Sequence, residues 1–206
     1  MAWMAASLLL GGMLMAEPAP AQAPYLNTWL VAGPFDTAAL ATREGLADSD
    51  WTPAPGQRWS WFDDRLFSRN YDNYQDLFSY LRYHLAQSAA GQGVYAHVYL
   101  HVPTPTAVEL RLGADQTAKV WLNQQLVPTG EQIGFLRDSI RLPVRLNGGW
   151  NRLMLRVTNA AGGRLGFYAR VCLPDGSAVP QLTASPLGLS AKLQVATQGM
   201  GEVCLQ

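Results

Sequence analysis

Histidine and cysteine are scarce in this chain, with three of the first and two of the second in 206 residues. That scarcity removes most metal and nucleophile chemistry. There is no HExxH, no CxxC, no phosphate-cradling glycine loop and no nucleophile elbow. His97 and His101 fall on one face of an apparent strand, but at ~3.3 Å per residue they stand ~13 Å apart and cannot share an ion. His84 stands alone, and neither cysteine has a histidine near it in sequence. Charge is also thin: 15% of residues carry it, and fifteen basic side chains cancel fifteen acidic ones. With no net field to hold a polyanion, nucleic acid and anionic membrane surfaces are excluded as expected partners. No apolar run is long enough to span a bilayer.

The chain is rich instead in aromatics, with seven Trp and eight Tyr, and in short alternating segments. Val94 to Val102 is the cleanest: Val94, Ala96, Val98, Leu100 and Val102 share one face, while Tyr95, His97, Tyr99 and His101 share the other. The first face reads as core, the second as a polar face turned to solvent or to a second sheet. Further strands are expected at Tyr25 to Phe35, Ala107 to Leu112, Thr117 to Leu122, Ser139 to Leu146, Asn151 to Thr158 and Leu165 to Leu173, separated by Gly and Pro turns. Gly113 is read as a joint between short strands, and Asn123-Gln124 as a tight turn. Many short strands at this spacing predict an all-β sandwich. Tyr71, Tyr74, Leu77, Phe78, Leu81 and Leu85 recur at helical spacing, which predicts one short helix with Asp72 near its start.

The first residues, Ala2 to Met15, are apolar and lead into Ala19-Pro20-Ala21-Gln22-Ala23. This reads as a secretory signal peptide over residues 1–23, with cutting after Ala21 favoured over cutting after Ala23, although no Lys or Arg precedes the apolar run. A secreted or periplasmic protein is expected, with no membrane insertion after signal removal. The sandwich is expected over 24–184, and 185–206 as a last strand or flexible tail. In an oxidising compartment Cys172 and Cys204 are expected to close a disulfide that ties the tail to the strand ending at Cys172, with two unpaired thiols as the alternative.

Several stretches resemble one family. Leu112-Gly113-Ala114-Asp115, Lys119-Val120-Trp121-Leu122-Asn123 and Gly149-Trp150-Asn151-Arg152-Leu153, with Trp29 to Phe35 and Gly166 to Arg170, are similar to the jelly-roll β-sandwich of galactose-binding-like type. Such domains are found on extracellular glycosidases and other secreted bacterial proteins. The resemblance runs from about Trp29 to about Pro180. It implies an exported noncatalytic module that binds carbohydrate or braces a neighbouring domain, with no cofactor, and it assigns Trp121 and Trp150 to structure.

Sugar recognition needs flat aromatics beside planar hydrogen-bonding groups. The segment Trp59 to Tyr74 supplies both: Trp59, Trp61 and Tyr74 with Asp64, Arg69, Asn70 and Asp72, and these seven are the expected ligand residues. Trp59 and Trp61, two apart, share a face and equally fit the edge of a core. Asp63-Asp64 and Asp72 to Asp76 are also compatible with calcium or with arginine pairing, and paired carboxylates raise glycoside hydrolysis. A structural or interaction module of a larger cell-envelope protein, with an adjoining domain or envelope protein as partner, is the alternative from another class.

Overall fold

The computed structural model describes residues 21–37, 40, 59–67, 73–84, 91–115, 117–129, 136–159 and 163–188. Alternation builds two antiparallel sheets. The larger has the order β2 (Ser60–Asp63), β1 (Thr28–Asp36), β4 (Gln92–Val102), β9 (Gly149–Asn159), β6 (Thr117–Leu122) and β7 (Gln125–Val127). The short strand β11 (Thr183–Ser185) joins it on β4. The smaller sheet has the order β3 (Gln75–Asp76), β10 (Gly166–Cys172), β5 (Thr106–Ala114) and β8 (Ile140–Leu146). Their facing sides bury one continuous core, with Trp29, Phe62, Val98, Leu100, Leu110, Leu153 and Phe167 among its side chains. Trp29 and Phe167 meet edge to face across the sheets at 5.0 Å. The protein is an all-β sandwich.

Two features of the sequence do structural work at one end. Asn123 and Gln124 both take positive φ, 50° and 71°, which matches the twist of the two-residue hairpin between β6 and β7. Asn151, fully buried, donates to the carbonyls of Asn147 and Gly149, while its Oδ1 accepts from Asn147 N and Asn123 Nδ2, each at 2.8 Å. One side chain thereby ties the turn before β9 to the hairpin beside it.

Three expectations need correction. Gly113 is not a joint: β5 runs through it to Ala114, because Gly113 lies in register with Tyr168. The helix expected from Tyr71 is a turn, Leu77–Ser79, continued by a π-helical turn, Tyr80–His84. It is capped by Asp76, whose Oδ1 accepts from Ser79 N at 3.0 Å. Gln75 and Asp76 pair with β10 instead, so strand pairing prevails over the helical spacing of Tyr74. Lastly, the Tyr95 and His97 face of β4 is not open to solvent: both are buried, 1% and 4% exposed. A second apolar cluster, Ala32, Phe35, Leu40, Tyr95, Trp121 and Met154, covers that end of the larger sheet on its outer side.

Pairing is present from Ala21, whose carbonyl accepts from Ala178 N at 3.0 Å, and Gln22 bridges Ser177. Ala23 N donates to Gly176 O at 3.1 Å, and Tyr25 bridges Arg170. Cys172 is buried with its thiol directed to Glu109 O at 3.6 Å. Cys204, and with it the disulfide expectation, lies outside the described residues.

Candidate functional site

Strand register places the outward side chains of the larger sheet in rows. Trp61, Leu30, His97, Met154, Trp121 and Leu126 form one row, because each is the direct partner of the next across β2, β1, β4, β9, β6 and β7. Tyr99 and Arg152 form a second row, His101 and Trp150 a third. Along β4 the rings touch in series: Trp59 to His97 at 4.4 Å, His97 to Tyr99 at 5.5 Å, Tyr99 to Trp150 at 6.5 Å, and Trp150 to His101 at 5.0 Å. In this ladder His97 is buried, while Trp59, Tyr99, Trp150 and His101 are half-buried. Trp61 stands beside it, 47% exposed.

Electrostatics inside the ladder is set by burial. His97 is held neutral, its pKa depressed to about 3 by desolvation and then by the Arg152 guanidinium. Its Nδ1 is buried without a hydrogen-bond partner among the described residues. Arg156 closes the covered end: its guanidinium donates to Leu40 O at 2.8 Å and lies 5.8 Å from the Trp121 ring centre. The half-buried end therefore offers flat π faces beside one arginine, which suits a ligand with C–H faces and hydroxyl groups.

The expected ligand residues are not all brought together. Trp59 and Trp61 share the outer face of the larger sheet, as their spacing requires. Asp64 opens the helical turn Asp64–Phe67 that follows β2. Arg69, Asn70 and Asp72 lie outside the described residues. Tyr74 is elsewhere and is withdrawn from the rim, because the chain crosses from β2, an edge of one sheet, to β3, an edge of the other. Tyr74 lies buried on the outer side of the smaller sheet, 5.2 Å from the Tyr168 ring, with its hydroxyl on the Asp115 carboxylate and Arg164 4.9 Å over its ring. A Cβ at Gly166 would sit 2.4 Å from Tyr74, so the close approach requires glycine. Burial raises the pKa of both Tyr74 and Asp115.

Tyr99, His101, Trp150 and Arg152 were not expected at a site. The signal available was the alternation of β4, which puts Tyr99 and His101 on one face; what places Trp150 beside them is the β4–β9 register. Among the described residues no group of three His, Cys, Asp or Glu side chains is arranged to hold a metal ion.

No family model and no curated protein sequence matches this chain. Among solved structures it is similar to a glycosyl hydrolase family 2 (GH2) member from Bacteroides cellulosilyticus DSM 14838, with a TM-score of 0.42 and 12% identity. The match covers 74% of this chain and 21% of that one, so this chain spans a minor part of that protein's length.

Proposed function

We infer that this protein is an exported, noncatalytic β-sandwich of the jelly-roll, galactose-binding-like kind, and that it binds carbohydrate on the outer face of its larger sheet. The observation that carries the reading is the ladder of touching rings from Trp59 to His101 with the exposed Trp61 beside it. Covering the exposed half of an indole, roughly 100 Å², is worth about 2 to 3 kcal/mol at ~25 cal/mol per Å². One such platform accounts for a large part of a weak sugar affinity. A binding rather than catalytic role draws support from the carboxylates: Asp63 is held by Arg65 and Asp138 by Arg170, while Asp115 receives the Tyr74 hydroxyl. Trp61 and Leu66, 47% and 74% exposed on and just after β2, favour a second reading in which this edge docks an adjoining domain.

Affinity electrophoresis through a panel of polysaccharides tests the reading. Retardation by at least one neutral polysaccharide, weakened by Trp61→Ala or Trp150→Ala, is expected. A folded protein that no polysaccharide retards refutes it.

A further inference from the structure

A second feature lies away from the ladder, where β1 and β11 share one edge of β4. The register passes from Leu30 opposite His97 to Ser185 opposite Tyr99, so the two strands approach each other end to end. A cleft of about 380 Å³ is lined by Thr28 of β1, Ala184 of β11 and Val171 of β10. Its floor is apolar, formed by Val171, Val179 and Leu182, and its rim carries Asn27, Thr28 and Arg65.

The rim is built, not incidental. Arg65 grips Asp63 with Nε at 2.9 Å and a terminal nitrogen at 2.6 Å, and Thr28 Oγ1 donates to the same carboxylate at 3.0 Å. Behind them, Asn27 Nδ2 donates to Asn73 Oδ1 at 3.2 Å while Asn27 Oδ1 accepts from Gln75 Nε2 at 3.1 Å. These bonds fix the orientation of each rim group and leave capacity over. The Asn27 amide retains a second N–H and a second lone pair, and the Arg65 guanidinium has more N–H donors than Asp63 occupies. Its side chain is 65% exposed.

We propose that this cleft is a second ligand site, for one neutral polyhydroxylated ring such as the end residue of a saccharide. Three properties select that class. The volume is near the lower end of the ~300–1,000 Å³ typical of ligand pockets, which fits a single small ring and not a chain. Asp63 neutralises Arg65, so neither anions nor cations gain from net charge there. The apolar floor takes the C–H face of a ring while Asn27 and Arg65 supply directed bonds to adjacent hydroxyls. The inference rests on the cleft alone and is independent of the ladder.

The test is titration of the ¹⁵N-labelled full chain with neutral monosaccharides, with glucuronate as the charged control. Shift changes are expected at the Asn27 side-chain amide and at the backbone amides of Thr28, Leu182 and Ala184. Ala184 lines the cleft and is exposed, so Ala184→Trp fills the mouth without disturbing the core and should abolish the changes. Arg65→Ala, at an exposed side chain, should weaken binding at least tenfold, whereas Leu136→Ala, also exposed but not in the cleft lining, should leave it unaltered. No shift with any neutral monosaccharide, shifts confined to Tyr99 and Trp150, or shifts that survive both Ala184→Trp and Arg65→Ala overturn the proposal. Tighter binding of glucuronate than of neutral sugars overturns the assignment of ligand class.

Discussion

Replacing His97 by phenylalanine isolates the cost of burying an imidazole in the aromatic ladder. The ring lies between Trp59 at 4.4 Å and Tyr99 at 5.5 Å, is 4% exposed, and leaves Nδ1 without a partner among the described residues. Its pKa falls from 6.5 to about 3 in the folded protein. Below pH 6.5 the unfolded chain takes up a proton that the folded chain refuses, so stability declines as pH falls through this window and does not depend on His97 above it. Each unit is worth about 1.4 kcal/mol, so between pH 6.5 and pH 4 the loss approaches ~3 kcal/mol. Phenylalanine keeps a ring of similar size in place and does not titrate. It also removes a buried nitrogen whose unmet hydrogen bond costs about 1 to 3 kcal/mol. His97→Phe should therefore match or exceed the parent in stability at pH 7 and exceed it by a further ~3 kcal/mol at pH 4. Urea denaturation of both proteins at several pH values measures this, and subtraction cancels the carboxylates common to both. Parallel stability curves across pH 4 to pH 7, or a His97→Phe protein weaker at pH 7, would refute the reasoning.

Three other outcomes are expected. Trp121, 3% exposed in the outer apolar cluster, should cost roughly 3 to 5 kcal/mol when cut to alanine, whereas Trp61→Ala should barely move the thermal melt; equal drops in Tm would place Trp61 in the core. Asn151→Ala strips the partners from Asn147 N and Asn123 Nδ2 and from the carbonyls of Asn147 and Gly149. Asn147 is exposed and Asn123 and Gly149 are half-buried, so water takes over part of this bonding and a thermal melt should show a loss of about 1 to 2 kcal/mol; a parent-like Tm would discount the tie. Amino-terminal sequencing of exported protein should begin at Gln22: Ala23 is 4% exposed and bonded to Gly176, so a start at Pro24 would show that this packing is dispensable.

Much of the sandwich is legible in the sequence. The alternation from Val94 to Val102 identifies β4 and its core face, because a strand turns successive side chains to opposite sides whatever its neighbours are. Asn123-Gln124 announces its hairpin for an equally local reason, since the turn needs two residues that tolerate positive φ. Trp59 and Trp61 sit on a common face by the same arithmetic.

What periodicity leaves open is which strands become neighbours and what covers each face. Tyr74 follows Trp61 by thirteen positions yet lies on the other side of the sandwich, because the chain changes sheets between β2 and β3. Tyr95 and His97 look like a surface stripe until Phe35 and Trp121 pack against that face. Trp150 joins Tyr99 only through the register of β9 on β4, and the cleft is lined by segments far apart in the chain, from Asn27, Arg65 and Val171 to Ala184. By itself the sequence determined the strands, their inward faces and the β6–β7 turn, since these follow from bonds and sterics within a few residues. The tertiary structure decided the second apolar layer, the ladder and the cleft, since each depends on pairing free energy between segments far apart in the chain, where many registers satisfy the same local pattern.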